Sequence, residues 1–581
     1  MTITQPDVNH TMEQNTKKKR IGILGGGPAG LFMYKRLIEA NNPNIEIDIF
    51  ERKGYLGAGM PYSPEGANDE HITNVSDNEI PVIYNSIHDW VKIAPKKTLE
   101  HFQINAENFN EYKVLPRLFF GEYLNAQFEL LRNRAEEIGI TTRVHLNTSV
   151  TDVSDEDAEN IVTVFTNTND SYQFDTVIIC TGHNWPKQNE GTVPNYFDSP
   201  YPPKKLKLTL NHAVGVKGSS LTAIDAIRTL ARENGIFTEQ DGKYGYTLSK
   251  ESEGFNIVMH SRNGLLPAVR FHLEDSHLGK DETLSNAEIQ QHIKENEGFV
   301  SLDFVFEKNF KAMFSEKDPE FYAWIKDMNL ETFVETMMES REKMDAFELL
   351  KQEYKEAERS IKRKESIYWK EVLAVLSFAM NYPAKYLSAE DMQRLQKVLM
   401  PLISVVIAFI PQSSCRDLMA LHDAGLLSII AVGDESRVEA VPSGGADYHY
   451  TDEQGIEQNV HFDTFIDCVG QPHLSYADFP FNSLKEQGVI SPALLNFRSD
   501  EKGKDAEDKN SENVEIHNGG YYLKVPGITI NDNFSVVDKN GKNSERIYIM
   551  AVPYIGGYNP DYSGIDFCEA ASELVIKNIA F

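Results

Sequence analysis

Cysteine is scarce in this chain: four residues, Cys180, Cys415, Cys468 and Cys568, lie far apart among 581, with no CxxC pair. Such spacing argues against a disulfide framework and a short-spaced zinc site, and it suits a reducing, cytoplasmic setting. Basic charge is also short. With 57 Lys and Arg against 87 Asp and Glu, the formal charge is −30. Phosphate-backbone binding needs clustered cations, so nucleic acid is not expected as a partner. Long apolar runs are missing too. The longest, VLMPLISVVIAFIP at 398–411, has 14 residues and contains prolines, short of the roughly 20 that a membrane span needs. It reads as a buried helix, and no membrane association is expected. No apolar h-region follows the start; residues 1–19 are polar and are expected to form a disordered tail.

What is present is an ordinary soluble composition, 41% apolar and 25% charged, in a chain too long for a single core. Two or three domains are expected. Ile21–Leu24 is a short apolar run before glycines, Leu31–Ala40 has helical periodicity, and Ile45–Phe50 alternates and ends in Glu51. That is a strand, glycine turn, helix and strand. A second such unit begins at HAVGVKGSSLTAIDAIRTLAREN (from His212) and continues into FNIVMH (Phe255–His260). Between about 280 and 400 the chain turns acidic, Met-rich and helical in period. Strand patterns resume at Leu426–Val432 and Val460–Gly470, which makes the helical block an insertion within the second unit. The charged tract RSDEKGKDAEDKNSENVEIHNGG reads as a surface loop.

Gly25, Gly27 and Gly30 form GxGxxG. Gly25 permits the tight turn, Gly27 lets backbone approach a pyrophosphate, and Gly30 lets helix and strand pack closely, with Pro28 and Ala29 at the helix start. The helix N-terminus offers free amides and a positive dipole end. Glu51, 21 residues after Gly30, can hold ribose hydroxyls. A nucleotide is expected here, either a passing nicotinamide carrier or a resident flavin.

ERKGYLGAGMPYS, HITNVSDNEI and LPRLFFGEYL together resemble the signature of FAD/NAD(P)-binding oxidoreductases with two dinucleotide-binding domains, which include flavin-dependent monooxygenases. The matching positions are Gly57, Gly59, Tyr62, His71, Asn74, Val75, Pro116, Arg117, Gly121, Tyr123 and Leu124, and SRNGLLPA at Ser261–Ala268 is similar to a further motif of that family. The resemblance implies an α/β fold of two Rossmann-like domains with a helical insertion, and a tightly held FAD in the first cradle. It extends the cofactor neighbours to Arg52, Gly59, Tyr62, Asn74, Arg117 and Val150. His71 and Asn74 could instead order a loop, and Arg117 could be structural.

FDTVIICTGHNWP ends a buried strand in Cys180, Thr181 and Gly182, and VHFDTFIDCVGQP ends in the parallel Cys468, Val469 and Gly470. In two-dinucleotide flavoproteins, which both places resemble, such strands return the chain between domains. Cys180 and Cys468 read as small buried residues without a partner cysteine, so a dithiol mechanism is not expected. Near the end, a strand, a Gly-rich loop and an amphipathic helix place Ser563 and Asp566 as a capping pair. By resemblance, the helix start at Gly564 and Ile565 faces the flavin. The strand ends Ala551-Val552-Pro553, without the family's usual Gly-Asp.

The second cradle is degenerate: Gly218 keeps the first glycine position, followed by Ser219, but Ser220 and Ala223 replace the others. A Cβ hinders close approach of phosphate. Arg262 sits where NADP-using folds often place a cation for the 2′-phosphate, so NADPH is favoured over NADH, the other reading being a domain whose site is weakly used.

The expected domains are 20–200 (completed by 520–581) for FAD, 207–275 and 410–475 for NAD(P), 276–409 for the insertion and 498–519 for the loop. Hydride would pass from NAD(P)H to FAD; with no CxxC and no basic amphipathic anchor, O2 is the simplest acceptor. The resemblance then implies a monooxygenase that hydroxylates a small polar metabolite through a C4a-hydroperoxyflavin. The alternatives are a flavin reductase or dehydrogenase that uses no oxygen, and a non-catalytic FAD-binding partner protein. The insertion, with Trp324, Trp369, Met337 and Met338, could cover the site, pack or form a homo-oligomer face. Arg270 and His272 could meet an anionic substrate or lie on the surface.

Overall fold

The computed structural model describes residues 18–156, 159–183, 185–274, 284–471, 474–517, 519–560 and 564–581. Most of the expected N-terminal tail, and Ser563 of the expected capping pair, lie outside the described residues.

The first unit is built on a six-stranded sheet. Its order is Ser535–Val537, Asn543–Ile549, Thr176–Ile179, Lys19–Leu24, Ile45–Phe50 and Thr141–His145. Every neighbouring pair is parallel except the first. Parallel strands are covered on both faces, and Ile21, Ile23, Ile47 and Ile49 are fully buried accordingly. Helix Pro28–Glu39 starts with proline at its first turn, where the missing N–H costs nothing. It buries Leu31, Phe32, Met33 and Leu37 between the sheet and neighbouring helices. Strand order reverses at Lys19–Leu24, so a crevice opens at the strand C-termini beside that helix.

The second unit repeats the plan. Its all-parallel sheet runs Tyr196–Phe197, Thr464–Asp467, Ala213–Lys217, Asn256–Ser261, Leu427–Ala431, with helix Leu221–Asn234 after the central strand. Asn256–Ser261 and Leu427–Ala431 are adjacent in space, and the whole helical insertion lies in the crossover between them. The run at 398–411 is helical over Met400–Val406, with Leu402, Ile403 and Val406 buried. None of the described helices is long and apolar enough to cross a membrane.

The insertion bridges the units. Leu302, Phe306, Leu373 and Leu402 belong to one apolar cluster with the first sheet, whereas Phe347 and Leu350 join the core of the second. Asp532 of the first unit accepts hydrogen bonds from Tyr382 and Tyr386 of the insertion and pairs with Lys385. The tract expected to be a loop at 498–519 differs: it contains helix Asp500–Lys509, with Ser499 Oγ accepting from the Lys502 amide. The reason is tertiary. Gly503 is buried so closely on Tyr521 of strand Gly520–Ile528 that a Cβ would lie 2.4 Å from the Tyr521 Cβ, a contact that polar composition does not reveal.

Candidate functional site

The strand C-termini of the first sheet, helix Pro28–Glu39 and helix Gly564–Asn578 enclose one cleft. Its walls include Gly25, Gly27, Pro28, Ala29, Glu51 and Arg52 from the first βαβ unit, and Gly59 and Tyr62 from the next loop. Thr181 and Gly182 line it from the strand Thr176–Ile179, and Gly564 and Ile565 from the closing helix. These twelve residues, all named from the sequence, share a single cavity.

The glycines explain how. Gly25 has φ +116°, and a Cβ there would meet the Cys180 carbonyl at 2.5 Å. A Cβ on Gly30 would stand 2.0 Å from the Gly25 oxygen, so Gly30 acts beneath the cleft by letting helix and strand meet. Gly27 and Gly59 face each other across the opening, a Cβ on Gly27 lying 3.2 Å from the Gly59 Cα. Gly27 is also the N-cap, without any side-chain cap. The first-turn amides of the helix therefore have no intrahelical acceptor and face a ligand space. Glu51 Oε2 accepts from the Gly26 amide at 2.8 Å and Oε1 from the Lys53 amide at 2.9 Å. Each oxygen keeps a lone pair for a further donor such as a ribose hydroxyl. Thr181 Oγ1 is buried without a hydrogen-bond partner in the protein. Glycine walls that a Cβ would narrow, two converging helix starts and an orphaned hydroxyl all fit a dinucleotide.

Val150 lines an adjoining groove that shares Gly25, Glu51, Arg52, Thr181 and Gly182 with the cleft. Asn74 and Arg117 do not line the cleft. Asn74 is exposed, and its carbonyl accepts from Arg270. Arg117 donates to the Ile72 carbonyl at 3.1 Å and pairs with Asp225 on helix Leu221–Asn234. Tyr201 O–H donates to the same carboxylate at 2.8 Å. His71 belongs to this junction. The Asn68 amide donates to His71 Nδ1 at 3.1 Å, so Nε2 carries the proton, facing the Asp225 carbonyl at 3.2 Å and Thr229 Oγ1 at 3.1 Å. Burial holds the imidazole neutral, below its ordinary range. Although burial opposes it, the Arg117 guanidinium keeps the Asp225 carboxyl below the usual carboxylate range. These signature residues join the two units. Arg270 does so too: it is buried, pairs with Glu79 and donates to Ser76 Oγ at 3.0 Å. The amide of His272 donates to Ser360 Oγ at 3.0 Å. Trp324, Trp369, Met337 and Met338 do not line the cleft.

Several lining residues escaped the sequence reading. Cys568 lines the cleft with Cys180, near enough to act on the Cys180 thiol electrostatically, a proximity that a separation of 388 positions conceals. Burial pushes Cys568 up to about 12 and Cys180 higher still, so both thiols stay protonated. Met550, Val552 and Pro553 occupy the wall where the sequence lacks Gly-Asp. His183 follows Cys-Thr-Gly in the first unit just as Gln471 follows Cys-Val-Gly in the second, and the two side chains hydrogen-bond across the junction. That repeated tetrapeptide was the available signal.

The second cradle forms its own cavity. Gly218, with φ +105° and a Cβ position 2.8 Å from the Cys468 carbonyl, repeats the Gly25 geometry. Ser219, Ser220 and Arg262 line the same cavity. Ser219 Oγ is engaged, donating to the Leu265 carbonyl at 2.8 Å, and Ala223 is fully buried.

Residues 22–184 match the model of an FAD-NAD(P)-binding family, and residues 285–407 match the YdhS-like middle domain. The chain is similar to YdhS of Escherichia coli (strain K12), 32% identical over 476 residues covering 81% of this chain and 86% of that protein. Among solved structures it is similar to an ornithine N-hydroxylase of Kutzneria sp. 744, at 11% identity and a TM-score of 0.45 over 97% of this chain and 99% of that one. It is also similar to the bacillithiol disulfide reductase Bdr of Staphylococcus aureus, at 11% identity and a TM-score of 0.41 over 97% and 98%.

Proposed function

Because the chain belongs to the YdhS family and carries an FAD-NAD(P)-binding region, we propose that it is an FAD-dependent, NAD(P)H-oxidising monooxygenase that hydroxylates a small polar metabolite. The observation that carries the reading is the single cleft in which Gly27, Gly59, Glu51 and the starts of two helices converge. Bound there, FAD supplies hydride acceptance from the nicotinamide and the activation of oxygen. Gly25 and Gly27 hold the diphosphate against the free amides of helix Pro28–Glu39, and Glu51 accepts from ribose hydroxyls. The start of helix Gly564–Asn578, through Gly564 and Ile565, offers its positive end to the ring system, where it favours the charge of the reduced state.

Oxygen is favoured as the acceptor because the chain offers no thiol relay. All four cysteines are free and buried, and the two in the cleft are held protonated. The second cradle, with Gly218, Ser220 and Arg262 around one cavity, serves NADPH or NADH.

The test is anaerobic mixing of the yellow protein with NADPH or NADH, then oxygen, across a panel of amino acids and purines. Bleaching by a nicotinamide, and one compound that turns H2O2 release into hydroxylated product, are expected. Bleaching followed by free H2O2 alone with every compound would refute the monooxygenase reading, and a colourless protein that takes up no FAD would refute the flavin itself.

A further inference from the structure

The second nucleotide cavity is not built from the second unit alone. In the insertion, Leu395–Leu399 is π-helical and runs into the α-helix Met400–Val406. Pro401 has no N–H for the Lys397 carbonyl, and its ring crowds that carbonyl, which a widened turn relieves. From this stretch Lys397, Pro401, Ser404 and Val405 line the cavity that also holds Gly218 and Arg262.

Three cations line that cavity, and they are not equivalent. Lys217 lies 3.4 Å from Asp467, and Arg262 lies 3.7 Å from Asp434. Lys397 has no ion pair among the described residues. Two polar atoms in the same cavity also lack protein partners: His260 Nε2, on a side chain 1% exposed, and Ser261 Oγ. In a chain of net charge −30 the general field opposes a dinucleotide, so an uncompensated local cation has particular weight.

We propose that Lys397 is a phosphate-binding residue of the second nucleotide site, so that the helical insertion completes a cavity the second unit begins. This rests on the reading of the second cradle as a nicotinamide-dinucleotide site. It also gives the insertion a connecting role: the block that carries Lys397 shares its apolar core with the first sheet through Leu302, Leu373 and Leu402.

The experiment is anaerobic calorimetric titration of the full-length flavoprotein, its flavin reduced beforehand so that no hydride can pass, as wild type, Lys397→Gln and Lys397→Arg, with NADPH, NADH and 2′,5′-ADP at fixed ionic strength. Lys397→Gln is expected to weaken NADPH about tenfold, the effect of one charge-assisted contact, with Lys397→Arg restoring most of it. A loss confined to NADPH and 2′,5′-ADP assigns the contact to the 2′-phosphate; a loss shared with NADH assigns it to the diphosphate. Equal binding of all three probes to wild type and Lys397→Gln would overturn the role of the insertion while leaving the second cradle intact. Wild type that binds none of the probes would overturn the reading of the cradle and this inference with it.

Discussion

Gly27→Ala separates the fold of the first cradle from its capacity to hold a ligand. The backbone at Gly27 has φ −79° and ψ −163°, an extended conformation open to alanine. The added Cβ would stand 3.2 Å from the Gly59 Cα and 3.7 Å from its nitrogen, a contact relieved by a shift of about a few tenths of an ångström. Alanine is a poorer N-cap than glycine, at a cost of about 1 kcal/mol. In a protein of this size that lowers the melting midpoint by no more than about 2 °C. The effect on a dinucleotide is larger. The methyl group lies between the two glycine walls, in the path of the phosphates, and one lost hydrogen bond from an amide to a charged oxygen costs about 1.5–3 kcal/mol. The FAD dissociation constant should therefore rise from about tenfold to about a hundredfold or more. Absorbance at 450 nm relative to 280 nm reports cofactor content, FAD titration of the apoprotein gives the affinity, and a thermal scan of both apoproteins controls for folding. If Gly27→Ala keeps stoichiometric FAD with an unchanged dissociation constant, the cradle does not hold the diphosphate. Gly30→Ala is unsuitable as a probe, because its Cβ at 2.0 Å from the Gly25 oxygen would disrupt the unit itself.

The junction and the second cradle give further expectations. Asp225→Ala leaves the Arg117 guanidinium largely buried and unpaired and removes the acceptor of Tyr201, so it should cost about 3–5 kcal/mol, while Arg117→Met with Asp225→Leu recovers most of that; equal urea midpoints for wild type and Asp225→Ala would exclude the pairing. Burial pushes His260 down to about 4, below its unfolded value of about 6.5. On acidification the unfolded chain takes up this proton first. The stability that His260 contributes is thus complete above about pH 6.5 and is lost as pH falls towards 4, amounting to about 2 kcal/mol by pH 5. Urea midpoints from pH 7.5 to 5 should show that slope in wild type and lose it in His260→Phe; an unchanged slope would mean that His260 is not the titrating group.

Both glycine cradles were legible in the sequence because their chemistry is local. Gly25 and Gly218 need a positive φ within a few residues of an apolar strand, and the helical period that follows is set by side chains a turn apart. The same holds for Glu51, which a single βαβ unit places beside Gly26. Helix Asp500–Lys509 was not legible, since the face that matters is the flat side of Gly503 against Tyr521, and polar composition conceals it.

Side chains that act across the units belong to another class. Arg117 and Asp225 are 108 positions apart, Lys397 and Gly218 still further, and nothing in a local window couples them. By itself the sequence determined two nucleotide-binding folds, the glycine turn of each and the interruption of the second by helices, all of which follow from short-range sterics and periodicity. Only the tertiary structure decided that Arg117 and His71 join the units instead of lining the cleft, that Cys180 and Cys568 share a wall, and that Lys397 reaches the second cavity. Charge pairing and cavity lining depend on which surfaces the packed cores bring together, and that is settled by the whole chain at once.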